Sequence, residues 1–147
     1  MLKKIFLVLF LILFSTQVYS AGTDSTPKTV KSDYDKAVES IKFAKKYEKK
    51  GKVEKAKKRY EKAQKFLLKS NKEKPNQADT LNYLGFTTRK LGDYENGEKY
   101  YLMGLKINPN HTGINEYLGE LYVTTNRINL ARERLKVLEK CNCEEYA

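Results

Sequence analysis

The chain has 147 residues, of which 40% are hydrophobic, and a formal net charge of +11. This length fits one domain with its own buried core. We find no HExxH, GxSxG or glycine-rich phosphate-binding motif. The single histidine, His111, lies in a turn sequence, where we expect it to be solvated. The sequence therefore predicts no enzyme, no metal site and no cofactor.

The first twenty residues have the layout of a secretory signal peptide. Lys3 and Lys4 precede an apolar run from Ile5 to Phe14, and small residues then lead to a cleavage site after Ser20. Ten apolar residues are about half of what a transmembrane helix needs, so an uncleaved membrane anchor is the less favoured alternative. The layout predicts export to the periplasm of a Gram-negative bacterium and a mature chain without a transmembrane span.

The next segments predict a polar leader followed by helices. Residues 21–31 are polar and show no apolar period, which indicates a disordered leader. Ser32, with Asp35 three positions later, has the pattern of a capping box and predicts a helix start. Apolar residues then recur at helical spacing, which predicts helices in antiparallel pairs and an all-α fold. Breaks between the helices are expected at Gly51, Pro75, Gly92, Pro109 and near Asn126.

A period of 34 residues runs through the second half of the chain. It relates Pro75 to Pro109, Asn76 to Asn110, and Tyr83-Leu84-Gly85 to Tyr117-Leu118-Gly119. An earlier stretch repeats the order at an offset of 41, with Gly51, Ala56, Tyr60 and Ala63 matching Gly92, Gly97, Tyr101 and Gly104. The seven additional residues predict a longer second helix in the first unit. The small residues are expected to allow close helix approach, and Tyr60, Tyr101 and Leu135 to fill the space between layers.

This pattern resembles the tetratricopeptide repeat (TPR), a helix-turn-helix unit of about 34 residues. The resemblance implies about three units stacked as a short right-handed solenoid within residues 32–143, with a tail at 144–147. The units would span about 37–77, including the seven-residue extension, 78–111 and 112–143. It also implies a non-catalytic protein–protein interaction scaffold of the cell envelope that binds a peptide or a helix in its groove.

The resemblance also places a candidate groove on this chain. The positions carried over are Asn82, Phe86, Arg89, Lys90, Glu116 and Glu120, with Ile41, Lys45 and Glu48 in the first unit. The Lys/Asn/Arg clamp that some family members use for a C-terminal carboxylate does not reassemble, because Phe86 and Glu120 occupy places that it needs. We therefore expect a mixed groove with Phe86 as the anchor and Arg89 as the charged contact.

The positive charge is concentrated in one segment. Residues 42–74 hold fifteen basic and four acidic residues, whereas residues 75–147 hold nine and ten. The basic patch is assigned to Lys45, Lys46, Lys49, Lys50, Lys52, Lys57, Lys58 and Arg59. It fits either a solvated outer face or an electrostatic surface for an anionic envelope partner. Nucleic acid is disfavoured, because no interleaved aromatic pattern accompanies the lysines.

The end of the chain raises two further questions. One residue separates Cys141 from Cys143. Three states of these thiols fit the sequence: a strained local disulfide, a cross-link to another chain, and free thiols. Only nine residues follow Leu138, so we expect apolar surface near Leu130, Val137 and Leu138 to lack a capping helix. Uncovered apolar surface commonly marks an interface, which gives the alternative of a self-associating structural or assembly factor.

Overall fold

The computed structural model describes residues 30–140, which contain six α-helices and no strand. The helices are α1 (Asp33–Glu48), α2 (Val53–Glu73), α3 (Ala78–Lys90), α4 (Tyr94–Ile107), α5 (Thr112–Thr124) and α6 (Ile128–Leu138). The predicted all-α repeat fold is confirmed. The predicted signal peptide, most of the leader, both cysteines and the tail lie outside the described residues. Between residues 30 and 140, no helix combines the length and the hydrophobicity that a membrane crossing requires.

The helices pack as three successive pairs. α1 packs on α2, α3 on α4 and α5 on α6, and each pair contacts the next. The first helices of the pairs, α1, α3 and α5, also contact one another in that order. We call the surface that these three helices share the inner face.

Each turn inside a pair places one residue in the left-handed backbone region. The φ angle is +66° at Gly51 and +96° at Gly92, and in the third pair Asn126 takes the same role with a φ of 57°. Asparagine tolerates this conformation better than most residues with a side chain. This explains why Asn126-Arg127 can replace the Gly-Asp pair of the second turn. All the predicted helix breaks are confirmed.

The first pair is longer than the other two at the end where α1 begins and α2 ends. α2 has 21 residues and α4 has 14, a difference of seven residues. α1 begins at Asp33, four residues before the predicted unit boundary at residue 37, and the predicted capping box between Ser32 and Asp35 is formed. Within the extension, Leu67 is fully buried and Lys69 donates to Asp33 at 2.6 Å. The additional turns of α1 and α2 are therefore joined by this ion pair and by the burial of Leu67.

The two helices of the second pair approach each other closely at their glycines. A methyl group on Gly85 would lie 2.5 Å from Cε1 of Tyr101, and one on Gly97 would lie 3.2 Å from the Gly85 carbonyl oxygen. In the third pair the equivalent of Tyr101 is Leu135, and its side chain is 45% exposed. The prediction that Leu135 fills a space between layers is therefore wrong, because no further helix of the described chain covers it.

His111 is part of the structure rather than a solvated turn residue, so that expectation is also wrong. Its Nδ1 accepts a hydrogen bond of 3.2 Å from the backbone N–H of Ile114 and caps α5. Its Nε2 lies 3.0 Å from Oδ1 of Asp79, in the first turn of α3. The ring thus joins the starts of two first helices.

Candidate peptide-binding groove

Phe86 lies at the centre of the inner face and is 2% exposed. Its ring centroid is 5.8 Å from that of Tyr60 on α2 and 4.8 Å from that of Tyr117 on α5. Nζ of Lys45 on α1 lies 4.9 Å from the Phe86 centroid. The side chain therefore joins all three helix pairs. Phe86 is not available as an exposed anchor, because neighbouring units cover the ring that the repeat pattern alone would leave in the groove.

Charged side chains connect the units around this aromatic centre. Nζ of Lys90 lies 3.2 Å from Glu48, whose Oε2 also accepts a hydrogen bond of 2.8 Å from the Tyr60 hydroxyl. Nη2 of Arg89 donates to Oε2 of Glu120 at 2.5 Å. The Lys90–Glu48 contact joins the second pair to the first, and the Tyr60–Glu48 hydrogen bond lies within the first pair. The Arg89–Glu120 contact joins the second pair to the third.

Arg89 is held inside the array rather than presented to solvent. Its side chain is 10% exposed, and its charge faces Glu120. Its guanidinium also acts on Tyr101, where burial raises the pKa of the hydroxyl and Arg89 opposes that rise. Burial, together with the hydrogen bond to Glu48, likewise raises the pKa of Tyr60. Both hydroxyls are therefore neutral at physiological pH. The role of Arg89 as the charged contact for a ligand stays a prediction.

The remaining predicted groove residues divide between the interior and the rim. Asn82 is buried beside Gly113, and its Oδ1 has no hydrogen-bond partner among residues 30–140. Glu116 is partly buried, whereas Glu120 is about half exposed. The structure thus brings Phe86, Arg89, Lys90 and Glu120 together with the first-unit residues Lys45 and Glu48, while Asn82 and Glu116 lie nearer the starts of α3 and α5.

Tyrosines missed by the sequence interpretation complete this surface. The Tyr117 hydroxyl accepts a hydrogen bond of 3.2 Å from Nζ of Lys45, and Tyr34 and Tyr83 have ring centroids 5.9 Å apart. Tyr83 and Tyr117 share one repeat position, directly before Leu-Gly. That position faces the neighbouring first helices rather than the partner helix of the same pair. The recurrence of tyrosine at this repeat position was the sequence signal that could have identified both residues as part of the inner face.

A second depression, which we call the end groove, lies between α5 and α6 and has a volume of about 460 Å³. Val123, Ile128 and Leu135 are its exposed apolar side chains. The uncovered surface therefore differs from the prediction, since Leu138 is buried and Leu130 and Val137 are partly buried. Charged side chains also line the end groove: Glu116 and Glu120 from α5, and Arg132 and Arg134 from α6.

The predicted basic patch divides into three parts in the structure. Lys45 belongs to the inner face, and Arg59 is half buried, with its guanidinium carbon 5.1 Å from the Phe43 ring centroid. Lys57 and Lys58 are exposed on α2. The third part follows the exposed side of α1 into the turn: Lys46, Lys49, Lys50 and Lys52, of which the first three line a depression of about 430 Å³ with Lys42 and Lys45.

Residues 30–140 contain no group of three or more His, Cys, Asp or Glu side chains that could bind a metal ion.

One stretch of the chain matches the sequence model of a known repeat. The sequence model of the tetratricopeptide repeat matches residues 78–111, which are α3, α4 and the turn that follows. A comparison with curated proteins gave no match.

Solved structures with similar folds are TPR domains. The first TPR of Spaghetti (RPAP3), solved bound to the HSP90 peptide SRMEEVD, is 20% identical, with a TM-score of 0.50 over 80% of this chain and 87% of that one. The second TPR of the same protein, bound to the same peptide, is 15% identical, with a TM-score of 0.46 over 73% of this chain and 93% of that one. At such identities the likeness concerns the fold alone.

Proposed function

We propose that this chain, a tetratricopeptide repeat protein, is a non-catalytic scaffold that binds a peptide or a helix of another protein on its inner face. The observation that carries the proposal is the charged rim around the aromatic centre, formed by Lys45, Glu48, Lys90 and Glu120 on three successive first helices. A segment lying across these helices could exchange hydrogen bonds with the rim and contact the Tyr117 ring. The solved Spaghetti domain also holds a peptide.

Site-specific photo-cross-linking tests this assignment without knowing the partner. A cross-linker in place of Lys45 or Lys90 samples the rim, and one in place of Lys106, exposed on α4, samples a second helix as the matched control. We expect one discrete protein adduct from both rim positions and none from position 106. Equal adducts from all three positions, or adducts from position 106 alone, would contradict the inner-face assignment.

We place the action of this scaffold in the periplasm of a Gram-negative bacterium. The support is the basic start, the apolar run from Ile5 to Phe14 and the small residues up to Ser20. Protein recovered from the periplasmic fraction should have Ala21 as its first residue. An intact Met1 in a cytoplasmic fraction would contradict both the export and the cleavage.

The end groove favours a second candidate function, self-association with another copy of this chain. A two-fold symmetric interface requires a self-complementary surface. The end groove has acidic side chains on its α5 wall and basic side chains on its α6 wall, with Val123, Ile128 and Leu135 exposed between them. Two copies related by a two-fold axis would place the α5 wall of each against the α6 wall of the other.

Light scattering at several protein concentrations tests self-association. The variants are Leu135→Glu in the end groove and Leu102→Glu on α4, where the leucines are 45% and 42% exposed. We expect wild type and Leu102→Glu to form dimers and Leu135→Glu to remain monomeric. A wild-type monomer under both reducing and oxidising conditions would contradict self-association and a cross-linking role for Cys141 and Cys143.

A further inference from the structure

The cations of the first helix pair differ from those of the other two pairs in how they are neutralised. Lys69 is the one basic residue of 42–74 that forms an ion pair with a described carboxylate. In the other two pairs five cations form an ion pair, namely Arg89, Lys90, Lys99, Arg127 and Arg134, whereas Lys106, Arg132 and Lys136 form none with a described carboxylate. Like charges held close together destabilise a compact state. Fourteen of the fifteen cations of 42–74 therefore lack an ion-pair partner among the described carboxylates, and an anionic partner would relieve their mutual repulsion.

These unpaired lysines form one continuous surface. Lys42, Lys46, Lys49 and Lys50 line a single depression on the exposed side of α1, and Lys52 follows them in the turn. We call these five residues the lysine face. Directly after Lys52 lies Val53, which is 68% exposed at the start of α2. The lysine face excludes Lys45, which belongs to the inner face.

The composition of the lysine face indicates what kind of partner it fits. The depression is lined by lysine side chains alone. Lysine is a flexible point charge, and such a lining responds to charge density rather than to the shape of one ligand. Bases of a nucleic acid would need aromatic platforms, and none lines this depression. An anionic bilayer offers many negative headgroups in one plane, and its interface accepts apolar side chains flanked by lysines.

We propose that the lysine face docks this protein on an anionic phospholipid surface, with Val53 entering the headgroup region. The lysine stems lie along the interface while the ammonium groups contact the phosphates. Because the contact is electrostatic and exposed, raising the salt concentration weakens it. Lys45 lines the same depression but contacts Phe86 and Tyr117 of the inner face, so it is left unchanged in the test.

Co-sedimentation with vesicles tests the charge contribution. The full chain is mixed with phosphatidylcholine vesicles that contain or lack phosphatidylglycerol, and the ratio of the two partition coefficients is measured. This ratio cancels binding by the apolar run from Ile5 to Phe14, which every sample contains. The test variant changes Lys46, Lys49, Lys50 and Lys52 to glutamine. The control variant changes Lys99, Lys106, Lys136 and Lys140 to glutamine and therefore has the same net charge.

For wild type we expect the ratio of the partition coefficient on anionic vesicles to that on neutral vesicles to be well above one. This ratio should fall as salt is added. The test variant should lower the ratio by about two to three powers of ten, since each lysine near such a surface contributes about 1 kcal/mol. The control variant should stay within about threefold of wild type, because its lysines lie elsewhere. Equal losses in both variants, or a wild-type ratio near one, would overturn the proposal.

The Val53→Ser variant distinguishes an anionic bilayer from a soluble polyanion as the partner of the lysine face. We expect this change to weaken binding to the anionic vesicles by about threefold to tenfold, because the apolar side chain no longer enters the interface. Binding to polyglutamate should be weaker than binding to vesicles and should not change with Val53→Ser. If polyglutamate binds as tightly as the vesicles and the substitution affects neither, the partner is an acidic polymer and the bilayer proposal is wrong.

Discussion

Gly85 and Gly119 occupy the same position of consecutive repeats, yet the space beside them differs. A methyl group on Gly85 would overlap the ring of Tyr101, whereas one on Gly119 would lie 3.6 Å from Cβ of Arg134, an ordinary contact distance. We therefore expect Gly85→Ala to destabilise the fold by about 1–3 kcal/mol through overpacking. Gly119→Ala should be neutral or stabilising by up to about 1 kcal/mol, because alanine favours a helix more than glycine does.

Urea unfolding of the two variants beside wild type measures this difference. Gly119→Ala is the matched control, since it makes the same chemical change at the same repeat position. Equal destabilisation by both substitutions would mean that the glycines act through helix geometry shared by the repeats and that the Tyr101 contact does not matter.

Single side chains that connect different repeats were the hardest features to predict. The helix breaks were predictable because each depends on its own glycine, proline or asparagine. The surroundings of Phe86, Arg89 and His111 were not predicted, because they come from other repeats: Tyr117 covers Phe86, Glu120 pairs with Arg89, and Asp79 lies beside His111. A repeat pattern gives the position of a residue within its unit, but the packing between units decides whether that position is exposed.

The extended end of the first helix pair depends on one carboxylate with two lysines. Asp33 accepts a hydrogen bond from Lys36 at 2.8 Å and forms an ion pair with Lys69 at 2.6 Å, and these two contacts hold the pKa of the Asp33 carboxyl below its usual value. A carboxylate with a lowered pKa contributes stability above its unfolded-state pKa of about 3.9, and that contribution is lost as the pH falls through the folded-state pKa.

We therefore expect Asp33→Asn to be less stable than wild type at pH 7 and at pH 5, by the same amount. The difference should shrink as the pH falls below about 4, where the wild-type carboxylate also loses its charge. Urea unfolding at pH 7, 5 and 3 measures it. Glu61→Gln is the control on the same helix pair, because Glu61 forms no ion pair within residues 30–140. A difference between wild type and Asp33→Asn that stays constant down to pH 3 would show that the two lysine contacts contribute no net stability.

Stability along the whole array should depend on Phe86 more than on any terminal aromatic residue. In a repeat protein, stability is approximately a sum of unit terms and interface terms between neighbours. Phe86 contributes to both interfaces, because it contacts Tyr60 of the first pair and Tyr117 of the third. Phe43, which is exposed at the outer edge of the first pair, contributes to neither.

We expect Phe86→Ala to destabilise the array by about 3–5 kcal/mol, as is usual for a buried phenylalanine. Phe43→Ala should cost less than about 1 kcal/mol. Hydrogen exchange gives the decisive measurement, because loss of both interfaces should reduce protection in α1, α3 and α5 together. If Phe86→Ala reduced protection in α3 alone, the three pairs would be held together by the charged contacts around Glu48 and Glu120, and the aromatic centre would serve only its own helix.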